Sequence, residues 1–75
     1  MVNAIVLFNV ARGQVNQVAQ QLVALDGVTE VFSVAGRYDL VAVLRTAGNE
    51  QIADLVTRAI MQIEHITHTE TLLAF

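Results

Sequence analysis

Two short segments of this chain are predicted to be strands, and each carries apolar side chains on both of its faces. Residues 4–8 and 40–44 are uninterrupted apolar runs of five residues each. That length is typical of buried strands and lies far below the ~20 residues that cross a bilayer. Because successive side chains of a strand point to opposite faces, both faces of these strands are apolar. A sheet that contains them must therefore be covered by protein on both sides.

The rest of the pattern alternates strands with helices. Strands are predicted over residues 3–10, 28–35, 38–46 and about 67–75, and helices over residues 15–25 and about 52–63. Gly27 is predicted to follow the end of the first helix, and Asn49 to cap the second. Segments 25–30 and 63–68 echo each other, since each carries a helix end into a strand start.

This order of elements predicts one α+β domain over residues 1–75, with a ferredoxin-like βαββαβ fold. Right-handed crossovers place both helices on one face of a four-stranded antiparallel sheet. The other apolar face then needs a partner. The chain is 55% hydrophobic with no cysteine, its mean hydropathy is +0.56, and a domain this short is marginally stable alone. We therefore expect a homo-oligomer.

Charge and composition exclude several classes of function. The net charge is −3, and the four arginines are not clustered, so the chain lacks the basic face that binds nucleic acid directly. No segment is long enough for a membrane span. The first residues lack the positive region of a signal peptide, which makes a cytoplasmic protein the expectation. The four glycines lie one each in the connections rather than in a phosphate-binding loop.

No catalytic or metal site is predicted, and no cofactor is expected. His65 and His68 lie three residues apart with Glu64 and Glu70 nearby, but no third strong nitrogen or sulfur ligand accompanies them. We interpret the histidines as structural or exposed, with an inter-subunit metal site as the alternative. Ser33 has no nucleophile-elbow pattern around it.

The connection Gly36-Arg37-Tyr38-Asp39 stands out from the other turns. A glycine in a hairpin is usually a turn device, but here a ring and a carboxylate follow it, ahead of a long apolar strand. Such a tip can present free backbone N–H groups, a carboxylate acceptor and a ring, which together suit an α-amino acid. From the residues alone, the structural and the binding interpretation both stay open.

Two motifs resemble a known family. Residues 28–43 contain the pattern V-x-x-x-x-x-V-x-G-x-Y-D followed by an apolar strand, and the closing strand contains T-x-T at Thr69 and Thr71. This combination resembles the effector-sensing (RAM) domain of the Lrp/AsnC feast/famine regulators, over essentially the whole chain.

The resemblance implies a dimeric α+β barrel that forms through the sheets, with dimers assembling into rings of eight or ten. It also implies a small effector, commonly an amino acid, bound between dimers. The implied ligand-binding residues are Gly36, Arg37, Tyr38, Asp39 and Leu40, with Thr69 and Thr71 from a neighbouring subunit. Residues 36–40 would offer backbone contacts, the Asp39 carboxylate would bind the ligand's ammonium, and the threonines would offer hydroxyls.

Full-length members of the family carry an N-terminal helix-turn-helix domain, whereas this sequence starts at the first strand. The resemblance therefore implies a stand-alone effector-binding domain whose influence on transcription is indirect, through mixed assembly with full-length Lrp/AsnC regulators.

Two other functions are compatible with the same order of elements. A small dimeric α+β barrel enzyme of the monooxygenase or isomerase type would need a deep pocket between sheet and helices, lined by Tyr38 and by His65 or His68. A purely structural assembly protein would bind no ligand.

Overall fold

A four-stranded antiparallel sheet organises the chain. The computed structural model describes residues 2–74. The elements in chain order are β1 (Val2–Val10), α1 (Val15–Val23), β2 (Val28–Ser33), β3 (Leu40–Thr46), α2 (Asn49–Asp54) and β4 (Ile66–Ala74). Helix α2 continues as a π-helical segment (Leu55–Ala59) and a 3-10 turn (Ile60–Gln62). No helix within residues 2–74 is long and apolar enough to cross a membrane.

The strands lie in the order β2-β3-β1-β4, and each neighbouring pair is antiparallel. Strands β1 and β3 are therefore central, and their alternating apolar side chains lie on both faces in the middle of the sheet. The predicted ferredoxin-like βαββαβ fold is confirmed.

The hydrophobic core lies between the sheet and the helices. Alternate residues of β1 and β3 face it, as the alternation in the sequence predicts. The fully buried large side chains are Val6, Phe8, Val18, Leu22, Leu40, Leu44 and Ile60. Both helices thus contribute to the same layer, because Val18 and Leu22 belong to α1 and Ile60 to the last turn after α2.

The opposite side of the sheet, which we call the open face, is also apolar. Its central rows are set by the register, in which Ile5 pairs with Val43 and Leu72, and Val41 pairs with Leu7 and Phe32. Ile5 is 38% exposed, Phe32 49% and Leu72 47%. A single copy of the chain therefore leaves a continuous aliphatic and aromatic surface in water.

Several predicted element ends are wrong by a few residues. Helix α1 ends at Val23 rather than at residue 25, because the Leu25 N–H turns back to the Leu22 carbonyl at 3.1 Å. Gly48, not Asn49, occupies the N-cap of α2, and Asn49 is the first helical residue. Strand β4 starts one residue before the predicted position, and Phe75 lies outside the described residues.

Strands β2 and β3 are shorter at the hairpin than predicted. Strand β2 ends at Ser33, and β3 begins at Leu40 rather than at residue 38. The Asp39 carbonyl still accepts from the Val34 N–H, but the Asp39 N–H donates to the Phe8 carbonyl of β1 at 2.8 Å. The regular β2–β3 pairing therefore ends at Ser33 and Leu40.

The echo between segments 25–30 and 63–68 is present in the backbone. Gly27 has a φ of 96° and His65, at the equivalent position, a φ of 76°. The Gly27 carbonyl accepts from the Arg45 N–H at 2.9 Å, and the His65 carbonyl from the Ala11 N–H at 2.8 Å. The pairing register then shifts in the strand that follows each turn. In β2 the shift lies between Val28 and Glu30, and in β4 between Ile66 and His68. The two halves of the chain therefore share the same helix-to-strand turn.

Candidate functional site

The hairpin tip, defined as residues 34–39, is an exposed turn with a fixed backbone. The Val34 N–H donates to the Asp39 carbonyl at 3.0 Å and closes the turn. Gly36 has a φ of 127°, a conformation that L-residues rarely adopt, and nothing lies within 4 Å of the position that a Cβ would take. Glycine is thus required here by backbone conformation rather than by lack of space.

Strand β1 holds the tip through polar contacts at its end. The Asn9 side-chain amide donates to the Arg37 carbonyl at 2.8 Å. The Val10 N–H donates to Asp39 Oδ2 at 2.9 Å. The Asp39 carboxylate, which the family resemblance assigns to the ligand's ammonium, therefore also orients the turn that carries it.

Tyr38 connects the tip to β4. Its hydroxyl donates to Glu70 Oε1 at 2.6 Å, and its ring lies nearly parallel to that of His68, with centroids 6.5 Å apart and an interplanar angle of 19°. Glu70 pairs with Leu7 and His68 with Asn9 in the register, so both belong to the open-face side of β4.

The hydrogen bond to Glu70 also changes the acidity of Tyr38. It raises the pKa of the phenol above the ordinary 10.0, because ionisation would remove the donated proton. Partial desolvation and the negative charge of Glu70 act in the same direction, whereas Arg37 opposes them. Tyr38 therefore stays a neutral hydrogen-bond donor at physiological pH.

The structure brings some of the predicted site residues together and separates others. Gly36, Arg37, Tyr38 and Asp39 are all in the tip. The Leu40 side chain is fully buried in the core, and its backbone lies in the sheet opposite Phe8 and Ser33.

Thr69 and Thr71 lie on the other face of β4 from Glu70. They pair with Phe8 and Val6, whose side chains point toward the helices. Within one chain, the sheet therefore separates the two threonine side chains from the Tyr38 ring. A site that used the tip and the threonines together would need two copies of the chain.

Two clefts beside β4 contain the threonines. The α2–β4 groove, of about 310 Å³, is lined by Asn49, Ile52, Ala53, Val56, Thr57, Thr71 and Leu73. A second cleft of about 250 Å³ is lined by Met61, Ile63, Ile66, Thr67, His68 and Thr69. The first is the more apolar, and it presents the Thr71 hydroxyl beside aliphatic side chains.

Sequence reasoning missed Asn9 and Glu70 as neighbours of the tip, and it considered His68 as a structural or exposed residue, a metal ligand or part of an enzyme pocket, but not as a neighbour of Tyr38 at the tip. The position of Asn9 beside the tip depends on the β1–β3 register, and the positions of Glu70 and His68 depend on the β1–β4 register. The sequence carries no local signal for either register. Within residues 2–74, no group of three or more histidine, aspartate or glutamate side chains could hold a metal ion. Tyr38 and His68 meet on the open-face side, not in the pocket between sheet and helices that the enzyme hypothesis requires.

Comparison with known proteins identifies the family. The family model described as "Lrp/AsnC ligand binding domain" matches residues 3–75. The chain therefore belongs to the Lrp/AsnC ligand-binding domain family.

Individual relatives agree with this assignment. An uncharacterized HTH-type transcriptional regulator of Pyrococcus furiosus is 32% identical over 59 residues, which are 79% of this chain and 39% of the regulator. The chain thus spans well under half the length of this relative.

Solved structures match the whole fold. A protein of Thermus thermophilus is 41% identical, with a TM-score of 0.95 over 100% of this chain and 94% of the other. A transcriptional regulator of Neisseria meningitidis, solved as a complex with L-methionine, has a TM-score of 0.86 over 99% of this chain and 49% of the other. Because it is only 9% identical, that likeness shows the fold alone.

Proposed function

We propose that this domain forms an oligomer of dimers and binds a small effector, an amino acid, between dimers. It would act in the cytoplasm on transcription indirectly, through assembly with full-length Lrp/AsnC regulators. The observation that carries the proposal is the polar hairpin tip, an exposed turn whose backbone and carboxylate are already held in place by β1 and β4. Fixed polar groups around an exposed turn lower the cost of ordering a site when a ligand binds.

The arrangement of the two halves of the site supports a position between copies. The tip offers a carboxylate and backbone groups for the charged end of an amino acid, and the α2–β4 groove offers an apolar lining with a hydroxyl from Thr71. Since the sheet separates these features in one chain, a neighbouring subunit would supply the groove. The regulator of Neisseria meningitidis solved with L-methionine is a fold neighbour with an amino-acid ligand.

Isothermal titration of the assembled protein with each of the twenty amino acids tests the proposal. We expect saturable binding of at least one of them at millimolar or lower concentration. Asp39→Asn should weaken that binding, since a neutral amide cannot pair with an ammonium. Asp26→Asn is the matched control, because it removes an exposed carboxylate outside the tip. No binding of any amino acid would favour the structural assembly protein instead.

A further inference from the structure

The hairpin tip is attached to two different strands. In the described part of the chain, hydrogen bonds join it to β1 at three points, through the Phe8 carbonyl, the Asn9 amide and the Val10 N–H. They join it to β4 at one point, where Tyr38 donates to Glu70. Loss of that one bond would leave the tip without a hydrogen bond to β4.

We propose that Glu70 is a positioning residue for effector binding, which holds the hairpin tip in a fixed place relative to β4 through Tyr38. The inference rests on the proposed function, because it concerns the same site. Glu70 itself need not touch the effector. Its role is to fix the distance between the groups that the tip presents and the strand that carries the threonines.

The geometry of the contact supports this role. A separation of 2.6 Å between the Tyr38 hydroxyl and Glu70 Oε1 is in the range of charge-assisted O–H···O⁻ bonds, which are stronger than neutral ones. The near-parallel His68 ring, two residues before Glu70 on the same strand, limits the orientations of the Tyr38 ring. Tyr38 is therefore held at both its ring and its hydroxyl by one face of β4.

Strand β4 has a second role on its other face. Thr69 and Thr71 flank Glu70 in the sequence, lie on the other face of β4, and each lines one of the two clefts beside that strand. If each site combines the tip of one copy with the threonines of another, then every copy contributes to two sites through β4. A misplacement of about 1 Å between supporting groups is enough to weaken a site, so the Tyr38–Glu70 bond affects both.

The first test needs no ligand. Tyr38 is the only tyrosine and the chain has no tryptophan, so the ultraviolet absorbance of tyrosinate reports this one phenol. We expect the wild type to titrate above pH 10.0 and Glu70→Gln to titrate at lower pH. Because the pKa is raised in the folded state, the stabilisation is present below the ordinary pKa and is lost as the pH rises through the raised one. A titration unchanged in Glu70→Gln would overturn the proposal.

The second test uses the amino acid that the wild type binds most tightly in the titrations above. Glu70→Gln and Tyr38→Phe should each lower its affinity by roughly threefold to tenfold, the equivalent of one hydrogen bond. The double variant should be no weaker than either single one, since both remove the same contact. Additive losses, or unchanged affinity in both single variants, would contradict the positioning role.

Glu30→Gln is the matched control. Glu30 lies on the same open face but on the opposite edge strand, β2, where it pairs with Val43. The Glu30→Gln variant loses the same charge as Glu70→Gln but keeps the Tyr38–Glu70 bond. Its affinity for the amino acid and its tyrosine titration should therefore equal those of the wild type. Equal weakening by Glu30→Gln would assign the effect to charge or assembly and overturn the inference alone. A wild type that binds none of the twenty amino acids would overturn the proposed function and the inference together.

Discussion

His65 has a positive backbone φ, which the Cβ of an L-residue disfavours. Its φ of 76° is positive, where an L-residue with a Cβ is disfavoured by about 1–2 kcal/mol. The equivalent residue in the first half of the chain is Gly27, which has a φ of 96°. The second half thus places a histidine where the first half uses glycine.

We predict that His65→Gly stabilises the fold by about 0.5–1 kcal/mol, because the relief of backbone strain exceeds the added entropy of the unfolded chain. The contact that is lost is weak, since His65 Nε2 lies 4.0 Å from an exposed Glu64 carboxylate. Urea unfolding at a fixed protein concentration measures the change. A lower unfolding midpoint for His65→Gly would show that the contacts of the histidine side chain stabilise the fold by more than its backbone strain costs.

Gly27→Ala is the opposite substitution at the matched position. A Cβ there would lie 2.9 Å from Leu55 Cδ2, too close for an ordinary contact. The alanine backbone would also have to adopt the positive φ of Gly27. We predict a loss of more than about 1 kcal/mol in the same unfolding experiment. A neutral result would mean that the turn can relax, and the strain assigned to His65 would then be overestimated.

At the residue scale, the sequence indicated the hairpin tip but not all of its surroundings. Gly36, Tyr38 and Asp39 could be found because they form a local motif. Asn9 and Glu70 could not, since they contact the tip through hydrogen bonds between residues about 30 positions apart, which only the pairing of the strands brings together. Such pairings depend on register, which local residue patterns do not fix.

At the element scale, helix α1 offers two adjacent residues in opposite environments. Leu22 is fully buried against the sheet, whereas Val23 is 56% exposed. Leu22→Ala should lower the free energy of unfolding by about 2–5 kcal/mol, because it removes apolar contacts and leaves a cavity. That loss is a large part of the net stability of a small domain.

Val23→Ala is the control for that prediction. It removes exposed methyl groups from the same helix, and it should change stability by less than about 0.5 kcal/mol. Thermal unfolding followed by circular dichroism at equal concentrations compares the two variants. Similar losses in both would contradict the packing of α1 on the sheet.

In the second helix, the spacing of apolar residues predicts the helix but not its irregular geometry. The sequence predicts one regular helix over residues 52–63, but the chain passes from α-helix to a π-helical segment, Leu55–Ala59, and then to a 3-10 turn. A π-turn rotates the following residues by inserting one extra position. Because Leu55 and Val56 are both apolar and both half-buried, the pattern suits either geometry, and only tertiary packing decides between them.

At the scale of the whole molecule, the two faces of the sheet differ in their exposure to solvent. The helix-covered face is buried within one chain, and the open face is left apolar in water. Covering several hundred Å² of such surface is worth on the order of 10 kcal/mol at about 25 cal/mol per Å². The residues of β1 and β3 that predicted this surface from the sequence are the ones that the structure places there.

Val41 is a suitable position to test whether a second copy covers the open face. It lies in a central strand between Leu7 and Phe32. In a separate subunit a lysine at this position can extend its ammonium into water. In a face-to-face dimer the same charge would be buried without a partner, which costs several kcal/mol.

We therefore predict that Val41→Lys dissociates the assembly into folded subunits at concentrations where the wild type stays associated. Sedimentation velocity gives the mass, and circular dichroism shows whether the fold is retained. Val23→Lys introduces the same charge on the exposed side of α1 and should leave the mass unchanged. An unchanged mass in Val41→Lys would show that the open face is not the contact between subunits and would place that contact elsewhere.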